Sequence, residues 1–573
     1  MRAEVDSARQ LVNHYTAKII ALDPVGSTVK QAPPFVFPAK FSLKRNTPFA
    51  FDYLRDYLGE STAEPLLMDA SVKAALEYID KQTPKEGDGI NPVPPCAIAS
   101  VARSGKTTLL QSIFNRLLQD GKFNPIFVNF NGKRGLEQGF HRQHDESDYD
   151  AFLRWVAVSL LEETDTAGTC QEQDLEEYLS RSELPIVLLV DELNALTAND
   201  ISEELARLLR QRFLDQPNRY LCFTSHWFLD LSPLGHSESP RDTNFVELPN
   251  VQNEKGGIDV LTEKTGTSRV QVAECLGTVG LLVSSYHERN FKPDRYFAQR
   301  TASKTFPLSS FLDEFCKGVP RHDEMRHFDR FTSILENGKI AWPILFAKEF
   351  LYSAGEYTLY NLMNHTTTAI ERSSYNEDSG DEWEYTVRVA IAMVARNAEF
   401  RGLNQTQATI LGVPDENIDS RPKLYVRELP GDIKTPQQAQ EHLDSYIEKT
   451  NEYPTLVLAY PRAQLEIFDT ITCFKYSEST DTIFTGQQMK QGEGYPAKDA
   501  PSPFNGLLIR GDADYNPRRR PTKRKGWQYI SGKEMHDFLP CSLHPLIPSE
   551  WLKQKKKKKK KKIKIESCVE RTV

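Results

Sequence analysis

A chain of 573 residues is longer than one hydrophobic core sustains, so roughly three or four domains are expected. Hydrophobic residues at 39%, charged residues at 26% and no apolar run near the ~18–20 residues that span a bilayer describe a globular chain without a membrane anchor. The net charge of −8 hides an asymmetry: from Leu507 onward 19 Lys and Arg face 7 Asp and Glu, against 52 and 72 before it, which points the C-terminal stretch toward nucleic acid or nuclear import.

The N-terminus, MRAEVDSARQLVNHY, lacks the apolar core of a secretory signal and the look of a transit peptide. Eight scattered cysteines, with no CxxC pair and no cluster at metal-ligand spacing, fit a reducing compartment. Residues 1–45 read as an arm. From Thr47 to Asp80 apolar residues recur at helical intervals (Leu54, Tyr57, Leu58, then Val72, Ala75, Leu76, Ile79), and a Pro- and Gly-rich loop ends the pattern. Short apolar runs then alternate with amphipathic helices, the signature of a parallel sheet covered on both faces. The predicted strands are Cys96–Val101, Pro125–Phe130, Pro185–Val190 and Tyr220–Thr224, with a helix directly after the first along Leu109, Leu110, Ile113, Phe114 and Leu117. Together with the preceding helices they define a domain over 46–255. A mainly helical connector is expected over 256–375. After an acidic, turn-rich break, a helix over Asp381–Arg396 and several short strands make a domain over 376–550, and 551–573 is a lysine-rich tail expected to be disordered.

The segment CAIASVARSGKTTLLQSIF places Gly105-Lys106-Thr107 between a strand and a helix. A phosphate loop belongs there, because the helix N-terminus presents free N–H groups and the positive end of its dipole. Lys106 would reach the β/γ-phosphates of ATP, Thr107 would ligate Mg²⁺, and Ser100, Ser104, Gly105 and Thr108 would line the loop. Ser100 stands where the motif asks for glycine, which bears on affinity and turnover. About 85 residues on, LPIVLLVDELNAL reads as a buried strand ending in Asp191, a metal-side acid, and Glu192, which would polarise the attacking water. A third apolar strand, YLCFTSH, ends in Thr224 and Ser225, which either sense the γ-phosphate between the two motifs or simply close the strand.

In the C-terminal domain, TLVLAYPRAQLEIFDTITCFKYSESTDTIFTGQQMKQG reads as a strand ending near Asp469, a turn around Ser477–Asp481 and a strand returning from Thr482. Alternation along that strand projects Gln488 and Lys490 to one face and Met489 to the other. Asp469 with Gln488 and Lys490 resembles the D…(D/E/Q)xK core of the PD-(D/E)XK nuclease fold. In that fold the acid and the Gln/Glu position bind Mg²⁺, the lysine activates water against a phosphodiester, and a further acid on the first helix matches Glu384. The same residues are also compatible with the solvated polar face of an ordinary hairpin.

The degenerate phosphate loop, LLVDELNAL, a helical connector and an FD…QxK hairpin together are similar to the Crinkler effectors and the related retrotransposon hot spot proteins of eukaryotic microbes. The resemblance spans about residues 60–550 in architecture and is specific at Gly105–Thr107, Val190–Leu196 and Phe468–Lys490. It implies an α/β multidomain protein: a P-loop NTPase with a parallel sheet, a helical connector and a C-terminal restriction-endonuclease-like domain. It implies ATP and Mg²⁺ as cofactors, nucleic acid as partner, DNA before RNA, and work in a nucleus, otherwise the cytoplasm. A homo-oligomer is left open. Arg518–Lys525, beside Tyr515 and Trp527, is the expected phosphate-contacting loop or import signal. Lys555–Lys562 is a run that any polyanion would bind or the product of an adenine-rich stretch of gene. Two other readings remain: a nucleotide switch whose C-terminal module only binds partners, and a scaffold in which both sites are relics.

Overall fold

The computed structural model describes residues 46–51, 65, 68–82, 93–130, 143, 145–160, 172–196, 201–225, 234, 243–246, 248, 257–288, 291–318, 322–334, 339–373, 381–462, 465–490, 498–510, 525–530 and 532–546. The arm over 1–45, most of the basic cluster at 518–525 and the lysine-rich tail lie outside the described residues.

The first sheet is parallel throughout. It contains β1 (Cys96–Ala99), β2 (Asn124–Asn129), β3 (Ile186–Asp191), β4 (Arg219–Ser225) and β5 (Asn244–Phe245), in the order β2-β3-β4-β1-β5. Every residue of β3 is buried, as a strand covered on both faces requires. Its side chains alternate. Val187 and Leu189 join Ile98 and Cys222 under α1 (Asp69–Gln82) and α2 (Lys106–Asp120). Ile186, Leu188 and Val190 face α3 (Asp148–Leu160), α4 (Glu172–Ser180) and α5 (Glu203–Leu209). The period of two puts Asp191 on the α2 face, in phase with Leu189, and puts Thr224 there too, in phase with Tyr220 and Cys222. Sheet order and strand phase thus bring the end of β4 between the loop after β1 and the end of β3.

A helical region follows: α6 (Gly257–Thr265), α7 (Arg269–Glu274), α8 (Val279–Tyr286), α9 (Pro293–Thr301), α10 (Leu308–Lys317), α11 (Ile344–Ser353) and α12 (Tyr357–Ser373). A two-stranded pair, β6 (Ser333–Ile334) and β7 (Ile340–Ala341), sits within it. Its core is aromatic, with Phe311 and Phe350 stacked at 4.1 Å and Trp342 edge-on to Phe311 at 4.9 Å. That cluster continues through α13 (Asp381–Arg401) and α14 (Gln405–Leu411) onto Leu456, Phe474, Met489 and Ile509 of the second sheet, and it takes in Val101 of the loop after β1.

The second sheet is six-stranded and mixed, in the order β13-β12-β11-β10-β9-β8. It is built from β8 (Lys423–Leu429), β9 (Thr455–Pro461), β10 (Thr470–Lys475), β11 (Ile483–Lys490), β12 (Asn505–Arg510) and β13 (Trp527–Ile530). β9, β10 and β11 form an antiparallel meander, and β12 pairs parallel to β11. α15 (Pro436–Thr450), opened by a Thr435/Gln438 capping box, covers the face carrying Val457, Ile471, Cys473 and Leu508. α16 (Gly532–Phe538) follows the last strand. The predicted strand ending near Asp469 is corrected: β9 stops at Pro461 and β10 starts at Thr470, one residue after Asp469. Ile467 takes a left-handed φ of 75°, a conformation that breaks a strand at a β-branched residue.

Candidate functional site

The loop from Ser100 to Gly105 joins β1 to α2, and Gly105 caps the helix at φ 97°, a position that favours glycine. The residues with left-handed φ in this loop are Arg103 and Gly105; Ser100 is not among them. A serine therefore meets no backbone conflict where the motif asks for glycine, and its hydroxyl lies 3.3 Å from that of Ser333. Lys106 is 4% exposed and folds back across the loop, donating to the carbonyls of Ser100 at 3.1 Å and Val101 at 3.2 Å. Burial lowers its pKa, with Glu192 and Asp191 acting in the opposite direction. Among the described residues, the buried hydroxyl of Ser104 has no hydrogen-bond partner. Ser100, Ser104, Gly105, Lys106, Thr107 and Thr108 are thus gathered at one loop and the first turn of α2.

The acidic strand end faces this loop. Thr107 Oγ1 lies 3.1 and 2.9 Å from the two carboxylate oxygens of Asp191. Thr224 Oγ1 donates to Asp191 Oδ1 at 2.7 Å and accepts from the Glu192 amide at 2.7 Å, so one hydroxyl holds both acidic residues. Glu192 takes a left-handed φ of 57°, which turns the chain out of β3 immediately after Asp191. Ser225, buried at the end of β4, pairs in register with Ala99. A hydroxyl beside a buried carboxylate is a hard-oxygen donor set that fits Mg²⁺.

Burial, then the neighbouring Glu192, pushes the Asp191 carboxyl up to about 6, while Thr224, Thr107 and Lys106 pull it down. A raised folded pKa means that the folded state holds this proton more tightly than the unfolded chain. The associated stability is present below the ordinary value of 3.8 and is lost as pH rises through about 6. Asp191→Asn is therefore expected to raise the Tm of the nucleotide-free chain at pH 7.5, by up to ~3 kcal/mol of stability, and to change it far less at pH 4.5. Thermal melts at the two pH values check this, and an equal shift at both contradicts it.

The helical region closes on the loop. The Ala102 amide donates to the Arg330 carbonyl at 2.7 Å, and Arg103 pairs with Glu288 at 3.1 Å and lies 5.2 Å from the Phe291 ring centre. Gly280, at the start of α8, packs backbone to backbone. A Cβ there would meet Gly105 N and Ser104 C at 2.5 Å and Arg103 O at 2.7 Å. Gly280→Ala is expected to lower Tm by several degrees, as overpacking against backbone costs ~1–3 kcal/mol. Gly431→Ala, with nothing within 4 Å of the added Cβ, is the control expected to change little.

At the second sheet, the β10–β11 register pairs Thr470 with Gln487, and one further step sets Asp469 beside Gln488. Asp469 Oδ2 accepts from the Met489 amide at 2.6 Å. Met489 is buried in the core on the opposite face, as alternation predicts, and the Gln488 side-chain oxygen is buried without a hydrogen-bond partner among the described residues. The side chain of Lys490 lies outside the described residues. Glu384, on α13, is held by Arg388 at 2.6 Å. Asp469, Gln488 and Glu384 therefore converge on one end of the sheet. Among the described residues no group of three or more His, Cys, Asp and Glu is placed to hold a metal ion. The donor set does not fit the implied Mg²⁺: one carboxylate is in an ion pair, another accepts a backbone amide, and the third position is a neutral amide.

The double contact of Thr224, the close approach of Gly280 and the position of Arg388 go beyond the sequence reading. Only Arg388 left a local signal, four residues after Glu384 on a helix.

No family model matches the chain, and no curated protein matches it. Among solved structures, it is similar to a Walker-type ATPase of Pyrococcus abyssi at 12% identity and TM-score 0.32, covering 49% of this chain and 95% of that one. It is similar to Cdc6p of Pyrobaculum aerophilum at 10% identity and TM-score 0.26, covering 52% and 98%. The ORC1 protein of Aeropyrum pernix, solved in complex with DNA, aligns at 11% identity and TM-score 0.24, covering 50% and 92%. The chain's own parallel sheet, with its phosphate-loop and acidic-strand geometry, is that of a P-loop fold.

Proposed function

We propose that this chain binds MgATP at the loop after β1 and hydrolyses it, and that its C-terminal module acts on nucleic acid. The observation that carries the first part is the set of contacts joining Thr107, Asp191, Thr224 and Glu192 opposite a buried lysine. Lys106 exchanges the carbonyls of Ser100 and Val101 for β/γ-phosphate oxygens, and the amides at the start of α2 complete the anion site. Thr107 and Asp191 hold Mg²⁺, which when bound neutralises charge developing on the phosphates. Glu192 takes the proton from the attacking water, its backbone fixed by Thr224. ATP is assigned over other nucleotides because P-loop enzymes with an additional catalytic glutamate mostly use it. Phosphate release by the purified chain, with and without Mg²⁺, tests the reading.

The nucleic-acid reading rests on the basic cluster at 518–525 and the likeness to the Crinkler and retrotransposon hot spot proteins. For the module itself, the reading that the resemblance implies is metal-dependent cleavage at Asp469, Gln488 and Lys490, which the donor set present does not fit. A second, binding without cleavage, is favoured by the ion pair that occupies Glu384. Binding in either case is expected to weaken steeply with salt. Nuclear residence is the matching proposal for the cluster; a tagged chain that stays nuclear after its arginines are replaced would contradict it.

A further inference from the structure

We propose that the guanidinium of Arg388 substitutes for the divalent metal at the C-terminal site, so that this module holds nucleic acid without a metal and does not cleave it. The proposal rests on the nucleic-acid reading above and specifies its chemistry. Arg388 is 3% exposed on its side chain and is fixed from several sides. Its Nη2 donates to Glu384 Oε1 at 2.6 Å and to the Asp469 carbonyl at 3.1 Å, and its Nε lies 3.5 Å from Thr470 Oγ1. The rings of Tyr385 and Tyr460 each lie 5.2 Å from its central carbon. One cation thus ties the first-helix acid to the backbone of the strand-end residue, beside the two carboxylates a catalytic metal would join.

Three features make the arrangement more than a surface ion pair. A guanidinium carries a permanent charge and donors in a planar fork, and here Nη2 and Nε face groups of α13 and the start of β10. Arg388 is buried while Glu384 is partly exposed, and taking the acid away would leave a buried cation unpaired, so the ion pair resists exchange for an incoming ion. The remaining positions offer little more: Gln488 is neutral, and one oxygen of the Asp469 carboxylate is engaged by the Met489 amide. A divalent site needs several hard oxygen donors with net negative charge, and the guanidinium offsets one of the two carboxylates available.

The test is a Mn²⁺ titration of the nucleotide-free full chain followed by electron paramagnetic resonance. The expected result is that the parent and Asp469→Asn bind Mn²⁺ identically. Arg388→Met should then gain an equivalent of bound Mn²⁺ that Arg388→Met/Asp469→Asn lacks. In parallel, DNA binding by the parent is expected to be the same in EDTA and in Mg²⁺ at matched ionic strength, with no cleavage in either. A parent chain that binds Mn²⁺ through Asp469, or cuts DNA in a way abolished by Asp469→Asn, overturns the proposal. So does a folded Arg388→Met chain that gains no Mn²⁺. If Arg388→Met does not fold, the comparison of parent with Asp469→Asn still decides. A chain that binds no nucleic acid sinks the functional reading of the module, while the Mn²⁺ comparison still reads the role of Arg388.

Discussion

Lys106→Ala is expected to lower ATP affinity at least ~100-fold while leaving the fold in place. Hydrogen bonds to charged groups are worth ~1.5–3 kcal/mol each, and a phosphate-bound lysine makes more than one, so the loss exceeds ~3 kcal/mol. The fold survives because what the folded chain loses is two contacts to carbonyls of the same loop, from a side chain whose burial already disfavours its charge. Titration with a fluorescent ATP analogue, alongside thermal melts without nucleotide, separates the two effects. Equal affinity in mutant and parent would remove the phosphate-loop assignment.

Glu192→Gln should behave in the opposite sense, retaining or tightening ATP binding while turnover falls ~10²–10⁴-fold, the usual contribution of a positioned general base. The substitution spares Asp191 and Thr107, so the metal side of the site is untouched. It also spares the backbone contact through which Thr224 holds residue 192, so the side chain keeps its place and loses only its basicity. Binding and single-turnover hydrolysis measured on the same preparation check the prediction. Unchanged turnover would mean that another residue activates the water.

The first sheet and the loop after β1 were legible because their signals are local. An unbroken apolar run ending in Asp191-Glu192 must be a buried strand with its acids at the C-terminal edge, and a strand running into Gly105-Lys106-Thr107 leaves the lysine at a helix start. What composition and periodicity do not contain are contacts between distant segments. Gly280 lies far along the chain from Gly105, and nothing in its neighbourhood marks it as the residue over which the phosphate loop closes. Ser100 read as a defect because the motif asks for glycine there, whereas the loop places its left-handed residues at 103 and 105. The second sheet shows the same division. Alternation correctly separated Met489 from Gln488, but the positive φ at Ile467, which splits the expected strand ahead of Asp469, is a property of the folded backbone. Arg388 carried a readable signal, its i, i+4 spacing from Glu384, yet its reach to the Asp469 carbonyl depends on how α13 packs on the sheet.

The loop after β1 is proposed to be a working nucleotide site. Calorimetric titration of the nucleotide-free full chain with MgATP tests it most directly. The predicted result is saturable binding at a single site, lost in Lys106→Ala and weakened when Mg²⁺ is withheld or Asp191 is replaced by Asn. Absence of heat and of any Tm shift at millimolar MgATP, in a chain that melts cooperatively, would contradict it.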